Sequence, residues 1–351
     1  MTANGHRHDL AIVIVSTNEA KWLDPCLSTI FAGAGDASLD VVVVDNESTD
    51  GTRELVESRF PSARVVDSRN HGFSHANNRG VATCDARYVL FLNPDTEIVA
   101  GNFGELLEEM DQRPEVGLAG VRQLTGDGVL WPTIRYFPTI PRAIGEALAA
   151  ERWPVRPRWL GERELDMGLY DREQSCDWTS GSFLLARREA LMSSGLLDER
   201  FFIYSEETDL CLRIKQAGWD IRHLTGMTIV HHAGKGGIRP KMVAQEAYGR
   251  RQYAQKHFPR PARSAYLTAV MARYVVRALA PGRGSEAVAR RQAARRAIAT
   301  LLGRAEPPFG PPPPTAVAPL GDVPVQRLAD EAADEGGRAA NRRAHQAISQ
   351  S

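Results

Sequence analysis

A chain of 351 residues with 43% hydrophobic content can bury at least one large core, which argues against a disordered or fibrous protein. Its 43 Lys or Arg balance 43 Asp or Glu, so overall charge points to no partner and a nucleic-acid ligand is not expected. The distribution is uneven, however: between positions 239 and 304, fifteen Lys or Arg stand against only Glu246 and Glu286.

Residues 1–9 are polar and precede an apolar run of six, too short for a signal segment or a membrane span. The four cysteines, Cys26, Cys84, Cys176 and Cys211, lie far apart without a CxxC pair, which suits a reducing compartment. A cytoplasmic protein is therefore expected.

Residues 10–15 (LAIVIV) and 39–44 (LDVVVV) are continuous β-branched runs, the pattern of strands buried on both faces of a parallel sheet. Helices are predicted over 19–31 and from about Thr52, with Asp50 ahead of the second as a cap. Residues 64–66, 88–92 and 116–124 supply further strands, and 74–82 and 102–112 further helices. This alternation predicts a doubly wound, mostly parallel α/β sheet with ligands at the carboxyl ends of its strands.

From 130 to 177 the periodicity gives way to Pro-, Trp- and Arg-rich sequence, read as an insertion or lid over an acceptor. An apolar strand returns at 182–186, and a helix is predicted over 206–217, stopped by Gly218. These boundaries give a catalytic domain at 1–238, with a nucleotide-binding half at 9–124 and an acceptor half at 125–238. A basic helical extension follows at 239–304. The Pro- and Ala-rich tail at 305–351 cannot bury enough apolar surface to order itself.

Three segments carry chemistry. In VDNESTDG (44–51), Asp45 and Asn46 follow a buried strand, where a carboxylate can accept from a base imide, although the same residues also build ordinary strand-to-helix turns. In SRNHGFSHANNRG (68–80), a glycine loop enters a helix carrying Asn77, Asn78 and Arg79, suited to a ribose and diphosphate. In FLNPDTE (91–97), Asn93 and Asp95 end an apolar strand, where a carboxylate can hold a hard cation against a diphosphate or simply cap a turn.

Taken in order, these segments resemble family 2 glycosyltransferases of the rhamnosyltransferase-like branch. The matches are Ser16-Thr17-Asn18, DNESTDG, RNHGF, NNRG, LNPD, DWTSGS (177–182), SEETD (205–209) and VHHAGKG (230–236), spread over about 9–258. The resemblance implies a GT-A nucleotide-sugar fold. It places Ser16, Thr17, Asn18, Asp45, Asn46, Asn70, Arg79 and Asn93 on the nucleotide sugar. It makes Asp95 the metal ligand of a DxD variant whose first Asp is Asn93, and His231 the second ligand, with His232 as the alternative. Mn2+ or Mg2+ is the implied ion.

By position Glu207 matches the family's catalytic base, where Asp is usual, and Glu206 and Asp209 remain open for that role. Acidic residues also favour a helix's first turn, which fits Asp209, and Asp209 can pair with Arg213. Trp178, Ser180 and Gly181 are expected to line the pocket where donor and acceptor meet, against a competing reading of Trp178 as a core residue. The implied reaction is inverting transfer of a sugar, rhamnose first, from a dTDP- or UDP-sugar to a cell-envelope glycan or lipid-linked saccharide. A sugar nucleotidyltransferase and a non-catalytic sugar-nucleotide-binding relative are the rivals; the first would carry a Gly-rich basic loop where this chain reads STNEAKW.

In the basic extension, Leu267, Val270, Met271, Tyr274, Val275 and Ala278 share one helical face. Two readings are open. The helix lies on an anionic membrane at the inner face of the plasma membrane, or that face packs on the catalytic domain or on a second subunit of a homodimer.

Overall fold

The computed structural model describes residues 5–232 and 237–310. The AGKG part of VHHAGKG and the tail from 311 onward lie outside the described residues.

The chain runs β1 (His8–Ser16), α1 (Ala20–Ala32), β2 (Leu39–Asp45), α2 (Thr52–Arg59), β3 (Ala63–Asp67), α3 (Phe73–Ala82) and β4 (Ala86–Leu92). It continues through β5 (Thr96–Ala100), α4 (Phe103–Asp111), β6 (Val116–Thr125), α5 (Ile140–Ala147), β7 (Gln174–Ser175) and β8 (Phe183–Arg187). Then come α6 (Arg188–Ser194), α7 (Glu206–Gln216), β9 (Asp220–His231), α8 (Pro240–His257), α9 (Arg260–Leu279) and α10 (Ser285–Leu301). The sheet order is β3-β2-β1-β4-β8-β6-β9-β5, with β7 also on β9. Its first four strands are parallel, as the β-branched runs require. The remainder is mixed, because β8 runs antiparallel to β4 and β6, and β5 antiparallel to β9.

Two apolar layers cover this sheet. Leu10, Ile12 and Ile14 face α1, α2 and α4, while Ala11, Val13 and Val15 face α3, α6 and α7. The period-2 alternation of a fully buried strand thus feeds both layers. Gly80 of α3 allows its layer to close, since a Cβ there would stand 2.4 Å from Val13 Cγ1. Parallel register sets Ser16 beside Asp45 and Asp45 beside Asp67, so the polar ends of three apolar strands meet on one rim.

A third cluster joins α5 to the basic extension through Ala143, Ala247, Tyr266, Val270, Tyr274 and Ala297. This corrects the membrane reading of α9. Val270 and Tyr274 are fully buried, Leu267, Met271 and Ala278 pack around them, and only Val275 of the expected face is exposed. Arg273 lies inside as well, paired with Glu146 at 3.2 Å and Glu246 at 3.1 Å. The start of the tail is ordered too: Phe309 stacks on Phe202 at 4.4 Å under the Lys241 ammonium. Among the described residues no helix is long and apolar enough to cross a membrane.

Candidate active site

The rim after β1 and β2 is laced together by its own side chains. Asp50 accepts from Ala20 N at 2.8 Å and from Thr52 N at 3.2 Å, so one carboxylate holds the starts of α1 and α2. Asn18, in the left-handed region at φ 57°, accepts from Thr49 N at 2.7 Å. Asn46 donates to Thr17 Oγ1 at 3.3 Å and to Asn70 Oδ1 at 3.1 Å. Asp45 is buried, with Oδ1 accepting from Ser48 N. Ser16 lies beneath them, its hydroxyl buried without a partner among the described residues. Ser16, Thr17, Asn18, Asp45, Asn46 and Asn70 therefore form one polar cradle. Arg79 is buried behind it and donates to the Asp67 carbonyl at 3.1 Å, bracing β3 from α3.

The LNPD turn joins β4 to β5, and pairing of β5 with β9 sets Thr96 opposite His231. His231 Nε2 thereby comes within 3.1 Å of Asp95 Oδ1 and 3.2 Å of Asn93 Nδ2. His232 points elsewhere, to Glu97 at 2.7 Å and onto the Trp22 ring. Behind His231, Gln123 Nε2 lies 2.9 Å from Nδ1, and the Gln123 oxygen accepts from Ser182 Oγ at 2.6 Å. An Asp oxygen and a His nitrogen meeting in front of such a supporting amide suit a divalent ion of intermediate hardness. Among the described residues no three His, Cys, Asp or Glu cluster as a metal cage, so other ligands would be water and substrate phosphate, as for an open site.

Asn93 N bonds the Ser182 carbonyl, which brings DWTSGS against this turn. Trp178 belongs to the core layer and also lines a cavity of about 950 Å3. Ser180 Oγ lies 3.4 Å from Ser182 Oγ, and Gly181 lies against Glu207, whose Cβ, Cγ and Cδ would each stand 3.7 Å from a Cβ at that glycine.

The three acids of SEETD occupy different environments. Tyr204 and Ser205 are both left-handed, at φ 73° and 76°, and this double kink aims α7's first turn inward. Glu206 is buried, and burial together with Glu207 pushes its carboxyl well up, which favours its neutral form. Glu207 lines the cavity with Oε2 unpartnered among the described residues; burial raises its carboxyl too, while Arg135 pulls it down.

Asp209 is fully buried and accepts from Arg213 at 2.8 Å and from His257 and Lys256, each at 2.7 Å. Burial alone would raise it, but His257, Arg213 and Lys256 outweigh that and hold it well below the ordinary carboxylate range. Its group ties α7 to α8. Asp209→Asn is expected to lower stability by about 3–5 kcal/mol in urea unfolding while donor affinity stays native. Because the folded carboxyl titrates below the unfolded one, its contribution is complete above the unfolded pKa and is lost as acid is added through the folded value. A variant of native stability that binds donor yet fails to turn over would instead make Asp209 the base.

The profile of Glycosyl transferase family 2 matches residues 11–187. The chain is a family 2 glycosyltransferase. This glycosyltransferase is 31% identical over 235 residues to the N-acetylglucosaminyl-diphospho-decaprenol L-rhamnosyltransferase of Mycobacterium tuberculosis H37Rv, covering 64% of this chain and 76% of the relative. It is 22% identical over 237 residues to Escherichia coli K12 rhamnosyltransferase WbbL, covering 63% and 83%. Among solved structures it resembles the Pyrobaculum calidifontis mannosyltransferase PcManGT in complex with GDP-Man and Mn2+, with a TM-score of 0.51 at 16% identity over 85% of this chain and 87% of that one. The fold is GT-A. Membership in a glycosyl-transferring family removes the nucleotidyltransferase reading.

Arg135 was not singled out by sequence reasoning. It bridges Trp178 backbone to backbone at 3.0 Å, lays its guanidinium over the Trp178 ring and lines the cavity with Glu207. Burial pushes it down to about 10, still cationic at neutral pH. An arginine in an irregular segment carries no periodic signal. Gln123 did carry one, as an amide just past the apolar run 116–121 of β6.

Proposed function

We propose that this glycosyltransferase moves a hexose, with rhamnose the first candidate, from a dTDP- or UDP-sugar to a hydroxyl of a cell-envelope glycan or lipid-linked saccharide, inverting the anomeric carbon. The observation that carries the reading is the position of Glu207, a carboxylate on the cavity wall against Gly181 whose Oε2 has no partner among the described residues. Glu207 accepts the acceptor's hydroxyl proton as the oxygen attacks the anomeric carbon from the face opposite the nucleotide. The Ser16–Asp45–Asn70 cradle holds the nucleotide, and Trp178 orients the acceptor's sugar ring by packing on it. Asp95 and His231 would hold a divalent ion, Mn2+ or Mg2+, which when bound supplies positive charge against the diphosphate. The two rhamnosyltransferases above support the sugar, and the Mn2+ of the mannosyltransferase complex supports the metal. A seat on the cytoplasmic face of the membrane would meet a lipid-linked acceptor there.

Thermal unfolding with Mn2+ and a panel of dTDP-, UDP- and GDP-sugars tests the donor: dTDP-rhamnose should raise the midpoint most, since a ligand at about 100 times its Kd adds roughly 2.7 kcal/mol. Transfer should then release nucleoside diphosphate. A chain that no nucleotide sugar stabilises, and that releases no nucleotide, contradicts the reading.

A further inference from the structure

The cavity that begins at Glu207 and Trp178 continues between α5, α8, α9 and α10, so the basic extension supplies its far wall. Its charges are unevenly matched. Arg250 is held by Glu146 at 2.9 Å and Glu162 at 3.4 Å, and Arg273 by Glu146 and Glu246. Those pairs occupy the interior carboxylates. The exposed Arg277, one turn after Arg273, and the half-buried Arg290 line the same cavity with no ion-pair partner among the described residues, and Glu286, one turn before Arg290, lines it as well. Arg290 Nη2 donates to the carbonyls of Ala280 at 3.3 Å and Pro281 at 2.9 Å, which fixes its guanidinium at the α9–α10 turn while its buried Nε has no partner. Burial, and then the neighbouring Arg273, disfavour the cation at Arg277, and the nearby Glu246 and Glu146 carboxylates offset them only in part, so an incoming anion would add to their support.

Beside these arginines the surface turns apolar. Val276, on the cavity wall, is 55% exposed and Leu279 is 78% exposed, and Leu148 stands bare next to the lining residue Ala147. One cavity is thus lined by Glu207, by Trp178, by two guanidinia without an ion-pair partner among the described residues and by Val276, with Leu279 exposed on the same helix.

We propose that Arg277 and Arg290 clasp the phosphate groups of an acceptor in which phosphate joins the sugar to an apolar chain, and that Val276 and Leu279 receive the first part of that chain. The assignment rests on the glycosyl-transfer reading only for which end takes the sugar. Guanidinium pairs suit phosphate because their forked N–H groups match its oxygens, and flanking aliphatic groups select a phosphorylated chain over a free anion.

Farnesyl diphosphate, which has the phosphates and chain but no sugar, is the probe. It is titrated calorimetrically into the full chain in EDTA, which silences metal-dependent binding at the nucleotide site, with inorganic pyrophosphate and farnesol as parallel titrants. Farnesyl diphosphate should bind best of the three. Arg277→Gln with Arg290→Gln should weaken it roughly a hundredfold, about tenfold for each charged contact removed. The Arg277→Lys, Arg290→Lys pair should recover part of that loss, which an unfolded variant could not do, and Glu207→Gln should bind it as the native chain does. Absence of binding to the native chain, an unchanged Kd in the double Gln variant, or pyrophosphate or farnesol binding as tightly as farnesyl diphosphate would each overturn the assignment. Because no turnover is measured, it can fail while sugar transfer through Glu207 stands.

Discussion

Glu207→Gln is expected to bind donor nearly as well as the native enzyme and to lose about 10²- to 10⁴-fold in kcat, the range a positioned general base supplies. The amide keeps the side chain's shape against Gly181 but cannot take a proton. Steady-state kinetics with a separate measurement of donor affinity reads the two quantities. An equal loss in both would make Glu207 a structural or donor-binding residue. The native pH profile adds a second reading. A base works ionised, and burial raises this carboxyl above the ordinary 4.5, so kcat/KM should climb with pH through a limb displaced upward from that value. Arg135 opposes the displacement, so Arg135→Gln should move the limb to still higher pH. A limb unmoved in that variant would separate Arg135 from the base.

Asp95→Ala is expected to reduce kcat/KM by about three orders of magnitude and to abolish metal-dependent nucleotide binding. Position 93 is an amide and Glu97 is engaged by His232 at 2.7 Å, which leaves Glu19, whose carboxyl is raised by burial and by Asp95 itself, as the nearby acid. His231→Ala should cause a smaller loss that added Mn2+ partly restores, because one oxygen ligand remains. Titration of Mn2+ into each variant in the presence of nucleotide, followed by activity, measures both effects. Near-native turnover by Asp95→Ala would remove it from the site. Should His232→Ala rather than His231→Ala show the restorable loss, the geometry around Asp95 has been misassigned.

How far the sequence could be read depended on whether a residue's partners were local. The parallel half was legible because the runs LAIVIV and VVVV declare burial on both faces, and Asp50 and Asn102 stand where helix caps belong. The mixed half was less so. Strand β9 loses its alternation at His223 and Leu224, both buried, just before a register shift against β6, and β5 is five residues directly after a turn. These are the two strands that carry His231 to Asp95, so the contact between them has no local signature. The same holds for Asp209: its pairing with Arg213 follows from helical spacing, whereas Lys256 and His257 arrive from another helix. Amphipathic spacing in α9 told that one face is buried but not by what, and the burying surface proved to be α5, α8 and α10.

The double left-handed turn at Tyr204 and Ser205 is held from outside the sheet. Gly249 of α8 leaves room for the Tyr204 carbonyl, which a Cβ there would approach to 2.4 Å, and Gln245 donates to the Ile203 carbonyl at 3.2 Å. Two such residues cost roughly 1–3 kcal/mol each, so the kink persists only while α8 is seated. The proposed base thus depends on a helix that contributes nothing to the Ser16–Asp45–Asn70 cradle. Insertions and fusions after β9 that unseat α8 are therefore expected to disarm the enzyme as well as destabilise it, since Lys256 and His257 leave Asp209 with that helix.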